Sequence, residues 1–307
     1  MATVRVDGIN IRYRLAGRGP VTVLITQGLG FASAEWWPIQ SMLGERARVV
    51  TWDRPGYGES DAPTTPRTAV NIAREALGLL ADVAPEGPLV LVGHSQGGLY
   101  TNALARLAGD RVRGAVLLDP ASPDNGRLRR ELPRELFRRS GSDLSTRLRL
   151  ARKLARLHLM GMIKPLMVSS PPLSLCRHHP AEARQAMWTH LKRAESYDTA
   201  IAEYEELDLR TSQQELDALG PFPAVPLEVL VHDPAVVVAE MMRSGHLARP
   251  DAERAEALWG QLLRDQAMLS PLGRLHVVGS SGHLIHLEKP ETTMDSVARV
   301  VGAPTES

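Results

Sequence analysis

Leu89-Val90-Leu91-Val92-Gly93-His94-Ser95-Gln96-Gly97-Gly98 joins four consecutive aliphatic residues to a serine set between glycines. The run at 89–92 is too short for a helix and reads as a strand buried on both faces of a parallel sheet. A helical pattern follows at 97–108. Gly93–Gly97 therefore matches G-x-S-x-G in the setting that gives this pattern meaning, a tight strand-to-helix turn. Such a turn lifts the serine Oγ above the sheet end. The glycines remove side chains that would collide with the adjoining strand and helix. A helix N-terminus behind Ser95 also favours developing negative charge. The plainer alternative, a glycine-rich turn with an incidental serine, is disfavoured by the flanking strand and helix.

The alternation continues outward. Residues 3–6 and 9–15 flank Asp7-Gly8, a two-residue hairpin signal. Apolar runs at 21–25, 48–52 and 112–118 end in Thr26-Gln27-Gly28-Leu29-Gly30, Asp53-Arg54-Pro55-Gly56-Tyr57-Gly58 and Asp119-Pro120. With helical patterns such as 68–83 between them, these runs predict a mostly parallel, doubly wound α/β sheet. Residues 121–222 hold helical patterns and no convincing strand. A strand at 229–232, a helix at 251–269, a strand at 275–278 and a last helix opening at Pro290 then complete the pattern. The expected organisation is a core of residues 1–120 and 223–307 with a helical cap, 121–222, over the strand carboxyl ends.

Composition narrows the function classes. Apolar residues at 43% and charged residues at 23% exclude general disorder. Lys+Arg 36 against Asp+Glu 35 leaves a formal charge of +1, which removes a global electrostatic case for nucleic-acid binding. Cys176 is the single cysteine, so no intramolecular disulfide framework is expected. The opening residues lack the apolar stretch of a signal peptide, and no apolar run approaches the roughly 18–20 residues that cross a bilayer. A cytoplasmic protein without stable membrane insertion is expected; nothing specifies its oligomeric state.

A seryl hydroxyl needs a neighbouring base. His283, in Gly282-His283 after the last strand, is the favoured base, with His286 as competitor in a packing or capping position. His94 is expected to pack beneath the elbow, and His158 and His190 to line the pocket or face solvent. Cys176-Arg177-His178-His179 lacks a second ligand cluster at useful spacing, so no metal and no cofactor is expected. Two strand ends offer the carboxylate that orients the imidazole. Asp119, in Leu118-Asp119-Pro120-Ala121, is favoured; Asp233 after the 229–232 strand is the alternative, and Asp124 a lesser one. Oxyanion donors are assigned to the backbone N–H groups of Gln96 and Leu29, the latter in a loop whose glycines permit close approach.

These residues together resemble the α/β-hydrolase superfamily. Gln27-Gly28-Leu29-Gly30 stands where that family usually has His-Gly-x-Gly, so the hydrogen bonding within this loop must differ. Asp53–Ser60 looks like its D-R-x-G-x-G-x-S loop, here read as structural, with no catalytic role for Arg54. Gly93–Gly98 and Gly282-His283 with Glu288-Lys289-Pro290 resemble its nucleophile elbow and histidine loop. The resemblance covers about residues 3–120 and 225–302 and implies the α/β-hydrolase fold.

The cap carries the least decisive signals. Residues 127–156 hold ten arginines and one lysine. Leu150, Leu154 and Leu157 recur at helical spacing among them, and are expected to face the core or pocket while the arginines face water. An anionic membrane surface or an acidic carrier are sharper readings of the same basic helix. Met160, Met162 and Trp188, with Gly28, are candidate pocket walls for a bulky apolar group. The expected activity is hydrolysis of a small apolar ester, thioester or lactone through Ser95, His283 and Asp119 and an acyl-enzyme. The alternatives are a triad-bearing carbon–carbon hydrolase, a cofactor-free oxygenase, and a receptor-like binding protein.

Overall fold

Asp7 and Gly8 both take positive backbone angles, φ 49° and 84°, as a tight two-residue hairpin requires. They join β1 (Ala2–Val6) to β2 (Ile9–Ala16) at the edge of an eight-stranded sheet. A computed structural model describes residues 1–209 and 211–302. The remaining strands are β3 (Thr22–Thr26), β4 (Arg48–Asp53), β5 (Leu89–His94), β6 (Val112–Leu118), β7 (Leu227–Val231) and β8 (Gly273–Val277), in the order β1-β2-β4-β3-β5-β6-β7-β8. The pairings β1–β2 and β2–β4 are antiparallel; every pairing from β4–β3 to β7–β8 is parallel.

The continuous aliphatic runs follow from burial on both faces. In β5, Leu89 and Leu91 enter one core while Val90 and Val92 enter the other; Leu117 and Val116 divide the same way in β6. The first core is covered by α2 (Ala69–Val83) and α3 (Gln96–Ala108), and the second by α1 (Trp37–Leu43) and a C-terminal helix. Thr68 caps α2, its hydroxyl accepting from the Asn71 N–H at 3.2 Å.

Between β6 and β7 the chain forms α4 (Gly126–Glu131), α5 (Arg134–Arg139), α6 (Ser145–Arg156), α7 (Met160–Val168), α8 (Ala181–Leu191), α9 (Ala194–Leu209) and α10 (Thr211–Ala218). After β7 come α11 (Pro234–Ser244) and α12 (Arg249–Ala267), and after β8 come α13 (Ile285–Glu288) and α14 (Pro290–Gly302). Leu128, Leu132, Leu136 and Phe137 of the inserted segment share a core with Val237, Val238 and Met241 of α11 and Ala252, Ala255 and Leu258 of α12. The helices that follow β7 thus complete the packing of the inserted segment.

The expectation for α6 needs correction. Leu150 and Leu157 are 56% and 55% exposed. The buried side is Leu148, Ala151, Leu154 and Ala155, which pack with Tyr197 of α9. Leu150 and Leu157 stand two residues beyond Leu148 and Ala155, roughly 200° round the helix. Which face is buried is set by α9, whose approach the small Ala151 and Ala155 permit. The basic face also has a partner within the chain: Arg149 pairs with Glu205 at 3.0 Å, and Arg152 and Arg156 with Asp198 at 3.2 and 3.1 Å. Among the described residues, no helix is long and apolar enough to cross a membrane.

Candidate active site

Ser95 sits between β5 and α3 at φ 53° and ψ −124°, a strained conformation for any residue but glycine. The turn is held by Ser95 N–H to the Leu118 carbonyl at 2.9 Å and Ala121 N–H to the Ser95 carbonyl at 2.8 Å. Its glycines are there for space. A Cβ on Gly97 would stand 2.2 Å from the Thr26 carbonyl oxygen, and one on Gly93 2.4 Å from Thr101 Oγ1.

The loop after β8 carries His283 to the same sheet end. Its Nε2 lies 3.0 Å from Ser95 Oγ, and its Nδ1 lies 2.5 Å from Oδ2 of Asp119, which directly follows β6. Asp119 is fully buried, and its N–H donates to the Leu230 carbonyl at 2.8 Å. Burial alone would raise its carboxyl; hydrogen bonds from His232 and His283 overcome that and hold it well below the usual carboxylate range. Asp233 does not join this line. Its oxygens accept from the N–H groups of Ala235 and Ser280, both at 2.9 Å, so it caps α11 and ties the loop after β8.

Gln27–Gly30 abuts the serine: a Cβ on Gly28 would lie 3.3 Å from Ser95 Cβ. Gln27, standing in place of the more familiar histidine, donates from Nε2 to the Trp52 carbonyl at 3.0 Å. Arg54, wholly buried, donates to the carbonyls of Gln27 and Gly28 at 2.7 and 3.1 Å. Because the peptide unit is trans, a Gly28 carbonyl aimed at Arg54 sends the Leu29 N–H to the opposite side of the loop. Arg54 also pairs with buried Glu203 of α9 at 3.0 Å, and Tyr57 donates to the same carboxylate at 2.9 Å. Arg67 joins Glu203 at 3.4 Å and Glu75 at 2.6 Å, so two cations and two anions close one buried network. Gln96 donates from Nε2 to the Glu203 backbone carbonyl at 2.6 Å. α9 is thereby tied to both loops that flank Ser95. Sequence reading missed Glu203, because nothing within α9 marks it as buried.

Behind His283 lies a floor of rings. His94 donates from Nε2 to the His283 carbonyl at 3.0 Å, and its ring lies 4.4 Å from that of His286. Trp36 stacks on His286 at 4.2 Å. Burial keeps both His94 and His286 well below the ordinary imidazole range, and pushes Glu35 beside them up to about 7. Glu35, His94 and His286 form the one cluster of three ligand-type side chains among the described residues, with ligand atoms within 4.8 Å of one another. Cys176 is buried apart from it, its thiol pushed up to about 12 by burial. His190 lines the cleft of about 280 Å³ beside α8 and does not face solvent. It is buried, donates from Nε2 to the Gly30 carbonyl at 3.0 Å and accepts from Gly58 N–H at 3.1 Å.

The expected apolar wall is placed differently. Met160 is buried against Ala155 and Tyr197, and Trp188 packs at the edge of that cluster with Lys164 Nζ 4.9 Å from its ring centroid. Met162 is 76% exposed. Met160, Ile163 and Met167 form the inner face of α7, and Met162 lies roughly 200° round from Met160. Clefts of about 280 and 410 Å³ open beside α8 and α9, but none of these three residues, nor Ser95 or His283, lines either one.

Residues 23–295 match the model of the alpha/beta hydrolase family. The chain belongs to that family. Among curated relatives it is 34% identical over 126 residues to the uncharacterized protein YqjL of Bacillus subtilis, covering 40% of this chain and 49% of that protein. It is 35% identical over 118 residues to the dihydrolipoyllysine-residue acetyltransferase component of the acetoin cleaving system of Cupriavidus necator, covering 38% and 30%. The chain thus spans about half of the first of these relatives and less of the second. Among solved structures of this alpha/beta hydrolase fold, a thermophilic esterase from Thermogutta terrifontis superposes with TM-score 0.63 at 22% identity, covering 98% of each chain. The enol-lactonase of Burkholderia xenovorans superposes with TM-score 0.62 at 18% identity, covering 98% of this chain and 100% of its own.

Proposed function

We propose that this alpha/beta hydrolase is a serine hydrolase that cleaves a small apolar carboxylic ester, thioester or lactone through an acyl-enzyme. The observation that carries the reading is the continuous line from Ser95 Oγ to His283 Nε2 at 3.0 Å and from His283 Nδ1 to Asp119 at 2.5 Å. With Nδ1–H donated to the carboxylate, Nε2 is bare and accepts the seryl proton. Ser95 then attacks the acyl carbon. The proton passes from His283 to the leaving alcohol or thiol, and water releases the acyl group by the same path in reverse. Gln96 and Leu29 N–H groups receive the oxyanion; the grip of Arg54 on the Gly28 carbonyl supports the second assignment. The esterase and lactonase among the structural neighbours accord with an acyl substrate. The helices at 121–222 act as the cap, and the cytoplasm is the proposed site of action.

The test is turnover of a short-chain nitrophenyl ester. Wild-type protein hydrolyses it, and Ser95→Ala lowers kcat by about a thousandfold or more. Equal rates in the two proteins reject the mechanism, and no turnover in either favours a receptor-like role.

A further inference from the structure

The ring of His232, next after β7, is buried between two carboxylates. Its Nδ1 lies 2.7 Å from Asp119 Oδ1, and its Nε2 lies 3.0 Å from Oε2 of Glu256 on α12. The His232 backbone N–H also donates to Asp119 Oδ1, at 3.2 Å. Both donors to Oδ1 thus come from one residue, which leaves Oδ2 to His283. Trp259, one turn along α12 from Glu256, lays its ring 4.6 Å from that of His232 and 5.6 Å from that of His283. The line that begins at Ser95 therefore continues past Asp119 to a buried histidine, where it ends on a second carboxylate.

We propose that His232 is a positioning residue that fixes the Asp119 carboxylate on His283, and that Glu256 acts through it to set the charge His283 experiences. The proposal rests on the Ser95–His283–Asp119 reading above and extends it. Both nitrogens of His232 face acceptor oxygens, so both carry protons; a bare Nε2 would oppose its lone pair to those of the carboxylate. Burial alone would discharge the ring, but the hydrogen bonds to Asp119 and Glu256 prevail and push it up to about 10. The charged groups facing His232 are Asp119, Glu256 and, from the next position, the half-buried Asp233. His283 faces Asp119 and the rings of His94 and His286, which burial keeps neutral.

The charges then explain why Glu256 is present. Asp119 alone offers His283 one negative charge, which stabilises the imidazolium formed during acyl transfer. An imidazolium at His232 holds Asp119 rigidly but would cancel that charge. Glu256 restores it, so Asp119, His232 and Glu256 together again carry a single negative charge.

The experiment is the pH dependence of Ser95 phosphonylation by a fluorophosphonate, read by intact mass in wild type, E256Q and H232N. Glu256→Gln leaves the set neutral and moves the midpoint to lower pH, by about half a unit or more. His232→Asn keeps a donor toward Asp119 but removes the cation, and moves the midpoint to higher pH. A midpoint unchanged in E256Q overturns the proposal, while the labelled wild type keeps the serine-hydrolase reading intact. A wild type unlabelled at Ser95 removes that reading and the proposal with it. Should E256Q not fold, nitrogen NMR of wild type with labelled histidine decides the same question: His232 protonated on both nitrogens at about pH 7 supports the proposal, and one bare nitrogen overturns it.

Discussion

Arg54 and Glu203 stand 149 positions apart and meet at 3.0 Å with neither side chain exposed. The pair joins the loop after β4 to helix α9, and Arg54 at the same time holds the carbonyls of Gln27 and Gly28. A buried ion pair is weak as a source of stability, but breaking one leaves an uncompensated charge in a dry site. Glu203→Ala is therefore expected to cost about 3–5 kcal/mol in denaturant unfolding. Glu203→Gln keeps the side-chain volume and one acceptor oxygen but turns an NH2 toward donors of Arg54, Arg67 or Tyr57, so it should lose stability too, though less than the alanine variant. Equal stability of the alanine variant and wild type would show that the network does not fasten α9.

The two aspartates should separate cleanly. Asp119→Asn deprives His283 of its carboxylate and is expected to lower kcat by about ten-thousandfold, the loss seen when a triad acid becomes an amide. Asp233→Asn alters a helix cap and a loop tie, so it should lower the melting temperature and leave turnover close to wild type. The reverse pattern, measured on folded protein, would move the acid to Asp233.

His190 makes stability depend on pH. Burial pushes it from the ordinary 6.5 down to about 4, with Arg193 and Arg54 adding to the effect. Between those values the unfolded chain binds a proton that the folded chain refuses, so stability falls as pH drops through this window. Buried His94 and His286 act in the same direction, while Glu35, pushed up to about 7 by burial, opposes them between about 7 and the ordinary carboxylate range, so the His190 contribution is read as the difference between variant and wild type. In thermal melts from pH 7 to about 4, His190→Gln should lose less stability on acidification than wild type. A variant with the wild-type slope would rule out titration of His190 across this window.

Placement of α6 against α9 leads to a sharp contrast. Leu150→Ser and Leu157→Ser should leave stability nearly unchanged, since both side chains already face solvent. Ala155→Leu forces bulk against Tyr197 and is expected to cost about 1–3 kcal/mol. Chemical denaturation of the three variants checks this, and the opposite ranking would invert the helix.

What could be read from sequence was local. The hairpin at Asp7-Gly8, the elbow around Ser95 and the alternation of strands and helices each depend on residues a few positions apart. Asp119 stood out because it directly follows an aliphatic run and precedes Pro120. Glu203, His232 and Glu256 gave no such sign. Their importance comes from partners 24 to 149 positions away, and a buried carboxylate on a helix looks the same in sequence as a solvated one. Leu150 and Met162 show the same gap. Helical spacing defines a stripe, but only the position of α9 decides which stripe is covered. Expectations for Met160, Met162 and Trp188 as pocket walls rested on composition, and composition carries no direction.

Covalent labelling tests the central claim most directly, because it needs no guess at the substrate. After treatment with a fluorophosphonate and proteolysis, the adduct is expected on Ser95 alone, and Asp119→Asn or a substitution of His283 should slow its formation by orders of magnitude. An adduct on another residue, or none on folded wild-type protein, would contradict the assignment of Ser95 as an activated nucleophile.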